Sequence, residues 1–537
     1  MFLEHKHKKC RLQMMDLSKV RIFHPNHKSI LRILLITPTV FILLFSGCHF
    51  PGYAPSTFPK SDQRKTEIAA IINPTLLTSP TPTITPLPNL PIPDATVAHS
   101  EDLVDGANYT TRQGDTLVAI ASRFDVPMES IIANSDINPQ GLLPVGLRLF
   151  VPEELEDLLP YHAPIFPDSE VIYSPSVGDF DPVDYALQTQ GFLAAYSEQV
   201  RGETMWGPEI VRHVALTTST NPRLLLAFLE FQSGWVSGHP EGAEKDRFPI
   251  GYGAQDSGLY NELMITAKLL AQGFYGWRDG SLTSLSFYRG GSGRLSPWLN
   301  AGSAALMHLF ASLYLQSTWD EQLFGASSFL ILYQGMFGDP WSHASSVEPY
   351  LLHTTQQPNL ALPFSVGERW SFTGGPHSAW QTGTPWGAVD FAPITGEPHC
   401  AISTRWVTAS SPGLVVRSDH NVVAIDLDGD GDEGTGWVLI YQHIADKDRV
   451  DSGVWLAQDE PLGHPSCEGG QASGTHVHFA RKFNGEWLGV GEPLPLFLSS
   501  WQVIGSAARY AGTLQKGDQV VTSRPDGSSG STIIRDE

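Results

Sequence analysis

A chain of 537 residues with 41% hydrophobic and 10% aromatic residues has apolar material for more than one core, which predicts about two to four domains and excludes disorder of the whole. Its formal net charge of -22 excludes a nucleic-acid partner, because phosphate binding needs a basic face and the body of the chain offers none.

The local basicity sits at the start, where Lys6, Lys8, Lys9, Arg11, Lys19, Arg21, Lys28 and Arg32 precede an apolar run from Ile33 to Phe45. This is the layout of a secretory signal with a long basic leader, and Met14 or Met15 would serve equally as its first residue. The run is short for a membrane span and ends in Phe45-Ser46-Gly47-Cys48. That ending resembles a bacterial lipoprotein cleavage box, which implies lipidation of Cys48 and a membrane anchor; the other reading is an uncleaved signal anchor. Both place everything after Phe50 outside the cytoplasm, in the cell envelope. With Cys10 in the leader and Cys48 taken by lipid, Cys400 and Cys467 are left to pair. Such a bridge in an oxidising compartment contributes up to about 4 kcal/mol through chain entropy.

Residues 49–107 are rich in Pro, Thr and Ser, as in Ser79-Pro80-Thr81-Pro82-Thr83-Ile84-Thr85-Pro86, and read as an extended, disordered linker. A compact unit follows over 108–153. A strand from Tyr109 to Arg112 leads to Gly114-Asp115-Thr116-Leu117, where Asp115 is placed to cap a helix with Leu117, Ile120, Ala121 and Phe124 on one face. Pro127 opens a second helix through Ile131, Ile132 and Asn134, and Leu147 to Val151 returns as a strand. The opening Tyr-x-x-x-x-Gly-Asp-Thr-Leu, the central Asn134, Leu142-Leu143-Pro144-Val145-Gly146 and the Leu-x-Val-Pro ending resemble a LysM domain. The resemblance implies a glycan groove for N-acetylglucosamine polymers beside the first helix, with Gly114, Asp115, Thr116 and Asn134 as its residues.

From 170 to 350 the pattern is helical. Asn221-Pro222 is a cap and first-turn pair before Leu224, Leu225, Phe228, Leu229 and Phe231, with Gly234 at the stop, and a further helix spans Ala304 to Leu315. The segment from Asn221 to Gly234 resembles the catalytic helix of lysozyme-like lytic transglycosylases, but Gln232 stands before Ser233 where the acid belongs. Glu230 is the substitute, on another part of the helix. The aromatics Trp235, Tyr252, Tyr275, Trp277, Tyr288 and Trp298 serve either a core or sugar stacking.

Residues 360–503 carry the chemistry. In Gly474-Thr475-His476-Val477-His478-Phe479, alternation along a strand puts both imidazoles on one face, roughly 6.6 Å apart, with Val477 and Phe479 towards the core. Upstream stand His377 in Gly374-Gly375-Pro376-His377, Asp390 in Val389-Asp390-Phe391, and His443 after the apolar run Leu439-Ile440-Tyr441-Gln442. The series His…Asp…His…His-x-His resembles the lysostaphin/beta-lytic family of zinc endopeptidases. It matches the beta-lytic branch, because the first His lies well before the Asp and Cys467-Glu468-Gly469-Gly470 precedes the final motif; the other branch has its first ligand where Trp386 stands here. The resemblance implies that His377, Asp390 and His478 hold Zn²⁺ with a fourth position for water, as catalytic zinc requires, and that His443 and His476 flank that water as catalytic groups. His399 and His464 read as loop residues. Asp426, Asp428 and Asp430 alternate like a Ca²⁺ loop, but Trp437 stands where such a loop needs Glu, so an acidic hairpin and a modest Ca²⁺ site are both open.

The expected architecture is therefore multidomain. A leader (1–48) and linker (49–107) precede a small βααβ LysM module, an α-helical middle domain resembling lysozyme, and a mainly antiparallel β metallopeptidase domain. A polar, mobile tail (504–537), with one strand at Gln519 to Val521, closes it. The leading function is a peptidoglycan-directed zinc endopeptidase cutting stem-peptide or cross-bridge bonds. The alternatives are a degenerate wall-binding scaffold or amidase activator, and a glycan-cleaving enzyme centred on Glu230.

Overall fold

The computed structural model describes residues 106–537 except 153, 154, 156, 241 and 254–256. The leader, Cys48 and the Pro-rich stretch lie outside the described residues. No helix among the described residues is long and apolar enough to cross a membrane.

The N-terminal module is a three-stranded antiparallel sheet in which β3 (Arg148–Val151) lies between β1 (Ala107–Thr110) and β2 (Ile132–Ala133), with helix α1 (Leu117–Phe124) packed on it. The expected second helix is instead a single 3₁₀ turn at Met128–Ser130, after which the chain extends into β2. The β-branched pair Ile131-Ile132 favours that extension. The cap of α1 also differs from expectation. Thr116 Oγ1 accepts from Ala119 N at 3.2 Å, while Asp115 is buried, accepting from Tyr109 Oη at 2.7 Å, Arg112 N at 2.7 Å and Arg123 Nη1 at 2.8 Å. A carboxylate that meets an arginine in this way is worth more inside than at the helix end.

The middle domain is helical around α2 (Gly207–Thr218), α3 (Pro222–Ser233), α4 (Leu259–Asp279) and α5 (Ala301–Leu313). Asn221 caps α3 through Arg223 N at 2.9 Å and Gly234 ends it in the left-handed conformation. Glu230 does not resemble a catalytic acid here. Oε2 accepts from Val236 N and Ser237 N at 2.7 and 3.0 Å, and Oε1 from Ser237 Oγ at 2.5 Å, so both oxygens are spent on the turn beyond the helix. Trp235, Tyr275 and Trp277 are core residues.

The C-terminal region is built on a nine-stranded antiparallel sheet. Its strands are β4 (Arg369–Ser378), β5 (Trp386–Pro393), β6 (Gly413–Asp419), β7 (Val422–Asp426), β8 (Trp437–Gln442), β9 (Trp455–Leu456), β10 (Val477–Phe483) and β14 (Thr532–Ile534), in the order β9-β6-β7-β8-β10-β5-β4-β14, with Glu486–Trp487 pairing to β10. Both faces are apolar. Ala388, Val422, Ala424, Val438, Ile440 and Ala480 join the core of the helical domain, while their alternates Val389, Val423, Ile425, Leu439, Tyr441 and Phe479 form a second core. The two-residue period thus makes one strand set serve two interiors. The bridge Cys400–Cys467 is present.

Residues 504–537 are not a mobile tail. Strands β11 (Trp501–Gly505), β12 (Gly512–Lys516) and β13 (Gln519–Thr522) form an antiparallel meander, and β14 adds to β4 with Ile533 opposite Trp370. Leu514 and Ile533 are buried in the second core, which holds a segment whose composition is otherwise polar.

Three regions meet at Arg278 on α4. Its guanidinium pairs with Glu486 at 3.0 Å and Asp168 at 3.1 Å, reaches Tyr350 Oη at 3.2 Å and donates to the Gln113 carbonyl of the N-terminal module. Gly114 lies against the same guanidinium, and Arg123 donates to Trp277 O at 2.8 Å. The helical domain and the sheet are further joined by Trp487 Nε1 donating to Thr218 O at 3.1 Å and Ser219 Oγ to Gly485 O at 2.6 Å.

A second buried cluster clamps the sheet: Glu433 receives Arg417 Nε at 2.5 Å and Lys482 Nζ at 3.0 Å. Burial pushes the Glu433 carboxyl up, but Arg417 and then Lys482 outweigh it and hold it down at about 2. The stabilisation is therefore complete above about pH 4.5, the usual glutamate value, and is lost as pH falls towards 2. Glu433→Ala leaves two buried cations and is expected to cost about 3–5 kcal/mol, measured by urea unfolding at neutral pH, with a smaller loss as the titration is repeated towards pH 3.

Candidate metal centre

Asp390 and His478 stand directly opposite each other on β5 and β10, so their side chains rise from one face as a cross-strand pair. His377 joins them from β4, whose register with β5 shifts on both sides of it; such irregularities re-aim a side chain. Gly374 lies beside them because an added Cβ would collide with Asp390 Oδ2. His443 follows β8 with φ of 66°, a left-handed conformation that is strained for a non-glycine residue and concentrates at functional sites.

Four imidazoles face the site, and each gives one nitrogen to a backbone carbonyl: His377 Nδ1 to Gly375 O at 2.9 Å, His443 Nδ1 to Glu468 O at 2.8 Å, His476 Nδ1 to Gly474 O at 2.7 Å, and His478 Nε2 to Ala379 O at 3.0 Å. A carbonyl only accepts, so those nitrogens carry the protons and the opposite nitrogens present lone pairs inward. His377 Nε2, His478 Nδ1 and Asp390 Oδ1 then face one another at 3.0, 3.3 and 3.5 Å. Asp390 Oδ1 is buried without a hydrogen-bond partner. Three converging acceptors repel one another unless a cation lies between them. Donors at about 2.0–2.1 Å from a tetrahedral zinc are spaced about 3.3 Å apart, so the triangle is one face of that geometry.

The other two imidazoles stand beside this triangle. His476 Nε2 is 3.8 Å from Asp390 Oδ1, and the His443 and His476 rings are 4.5 Å apart. Burial, then His476, pulls the His443 imidazole down to about 3, so it is neutral and its inward nitrogen presents a lone pair. All five residues line one cleft of about 730 Å³.

The structure thus brings together every residue expected of the metal and catalytic set. It also adds a wall that no motif announced. Tyr510, between β11 and β12, stacks on His377 with ring centres 4.3 Å apart, and Trp380 and Arg509 line the cleft with it. His399 lines the cleft too, and His464 packs on Trp406 outside it. The Asp426, Asp428 and Asp430 cluster gives no support to calcium. Asp426 accepts from Asp428 N and Gly431 N, Asp428 from Asp430 N, and Asp430 from Asp432 N, the pattern of a self-satisfied acidic hairpin. Of the glycan set, Gly114 and Asp115 are buried, Thr116 is half-buried and Asn134 is exposed.

Comparison with known proteins agrees with this division. Residues 109–152 match the LysM domain model and residues 164–350 the model of the LasA N-terminal domain. The chain is homologous to Protease LasA of Pseudomonas aeruginosa, 24% identical over 324 residues that cover 56% of this chain and 71% of the relative. It is also homologous to the beta-lytic metalloendopeptidase of Achromobacter lyticus, 24% identical over 159 residues, 28% of this chain and 39% of that one. Among solved structures, the M23 metalloprotease pseudoalterin from the deep sea aligns over 32% of this chain and 96% of its own at 23% identity and TM-score 0.26. The catalytic domain of lysostaphin from Staphylococcus simulans aligns over 23% and 89% at 21% identity and TM-score 0.17. The homologues are metalloendopeptidases.

The triangle makes a direct prediction about metal content. After dialysis against Zn²⁺, the wild-type chain is expected to retain a single ion by elemental analysis, and His377→Ala, Asp390→Ala and His478→Ala to retain almost none. His443→Ala keeps the ion, and Gly374→Ala, which presses on Asp390, weakens its retention.

Proposed function

We propose that the chain is a zinc-dependent endopeptidase of the bacterial cell envelope that cleaves stem-peptide or cross-bridge bonds in peptidoglycan. The observation that carries this reading is the triangle of inward-facing acceptors, His377, Asp390 and His478, beside two further imidazoles in an open cleft. Zn²⁺ held there would polarise a carbonyl and make water acidic enough to react at neutral pH. His443, neutral and oriented by the Glu468 carbonyl, is suited to receive the proton of the attacking water. His476, oriented by Gly474, also turns a lone pair to the site, and only after taking up a proton there would it donate to the oxygen that gains charge or to the leaving amine. Trp380 and Tyr510 line the cleft that the peptide would enter.

The LysM match supports peptidoglycan as the partner. In our reading Thr116 and Asn134 meet its N-acetylglucosamine-containing glycan, while Gly114 and Asp115 shape the loop from beneath. A signal-directed exit from the cytoplasm and a lipid at Cys48 fit this partner, since both would hold the cleft against the wall. The complete set of acceptors speaks against a degenerate scaffold, and the committed oxygens of Glu230 speak against glycan cleavage.

The test is turbidity clearing of purified cell walls. Clearing is expected from the wild type, to be abolished by a chelator or by His478→Ala, and to fall about 10²–10⁴-fold in His443→Ala with metal retained. Clearing that survives both chelator and His478→Ala would favour glycan cleavage, and no clearing at all would favour the scaffold.

A further inference from the structure

A second recess, of about 440 Å³, opens between α4 of the helical domain and the loop joining β4 to β5. Its volume lies in the range of small-ligand sites, roughly 300–1,000 Å³. The indole of Trp386 is 39% exposed and forms one wall. Across from it α4 and the turn that follows contribute Gln272, Asp279 and Ser281. Asp279 Oδ1 accepts from Ser281 N at 2.8 Å, which fixes the carboxylate's orientation. No lysine, arginine or histidine lines the recess, so an anion finds no counter-charge there. A flat aromatic face beside amide, hydroxyl and carboxylate groups fits a ligand with an apolar C–H face and a rim of hydroxyls, which is a pyranose ring.

The recess is tied to the metal cleft by one loop and one strand. In the loop 379–385, the Ala379 carbonyl fixes His478 and Trp380 lines the metal cleft, while Gly383, Thr384 and Pro385 line the recess. On β5, Ala388 and Asp390 share a face, and the register shifts between Ala388 and Trp386, where the strand meets the recess. Four residues of strand separate Trp386 from Asp390, about 13 Å. A short, extended peptide of about four residues covers that distance.

We propose that this recess is a sugar-binding subsite that holds a pyranose ring of the glycan strand while the peptide attached to it enters the metal cleft. The inference rests on the peptidase reading and deepens it. It makes the helical domain part of substrate selection, because α4 supplies one wall, and it places the cut a few residues from the sugar.

The experiment compares a soluble disaccharide-peptide with the same peptide lacking its sugar, using the full chain. The wild type is expected to show a kcat/KM about tenfold higher for the sugar-bearing substrate, the size of one good aromatic contact. Trp386→Ala should erase that preference through KM while cleaving the bare peptide at the wild-type rate. Asp279→Ala, on the exposed end of α4, should reduce the preference and guards against a folding defect in the first variant. The subsite is overturned if the wild type shows no preference or if both variants retain it. Should neither substrate be cut by any form, the peptidase reading fails. Calorimetry with the free disaccharide then decides the subsite separately, with binding that weakens in both variants supporting it and unchanged binding overturning it.

Discussion

Apolar side chains leave both faces of the central sheet, and this constraint governs where the rest of the chain must go. One face, with Ala388, Ala424, Ile440 and Ala480, needs helices over it; the other, with Val389, Phe391, Tyr441 and Phe479, needs the loops and the C-terminal meander. A sheet buried on both sides is a poor candidate for an independent unit, since exposing either face uncovers a contiguous apolar patch. The Arg278 cluster adds specificity to that contact. Its carboxylate partners come from the helical domain and from the sheet, and its carbonyl partner from the N-terminal module. Breaking such a buried group costs more than making it gains.

The candidate metal centre is a by-product of the same sheet. Cross-strand register sets Asp390 against His478, and the irregular end of β4 turns His377 towards them. Each imidazole is hydrogen-bonded to a backbone carbonyl, of Gly375, Ala379, Glu468 or Gly474. Backbone acceptors are held by the fold itself, and they set which nitrogen of each ring turns inward. Two of these carbonyls, at Glu468 and Gly474, lie in the stretch that follows Cys467, whose bridge to Cys400 anchors it.

The site was legible in the sequence because its residues sit in short, chemically distinctive phrases. His476-Val477-His478 announces a strand with one polar face, and the resemblance to the beta-lytic series supplied His377 and Asp390 from far away. Tyr510 carried no such signal: it belongs to a polar stretch that looks unstructured until Leu514 and Ile533 are seen to enter the core. The N-terminal module was legible as a unit but not in detail, because Ile131-Ile132 suits a helix face by spacing and a strand by branching, and the branching won. Asp115 was misplaced at the helix cap because its true partner, Arg123, is a tertiary contact within the module. Glu230 was only an offset substitute for a missing acid, and the turn at Val236 and Ser237 reveals its use.

The outer edge of β4 is occupied along its length. Ser371, Trp370 and Arg369 face β14, Arg524 N donates to Phe372 O at 3.0 Å, and Tyr510 exchanges backbone hydrogen bonds with Gly375 and Pro376 at 2.8 and 3.0 Å. An open edge beside a cleft is a template on which any extended polypeptide would dock by strand addition, without regard to its side chains. Closing it removes that indiscriminate mode and, with it, a route to self-association. An incoming chain must then be recognised across the face of the sheet, by what it carries rather than by its backbone, and neighbouring chains gain no foothold on the strand that holds His377.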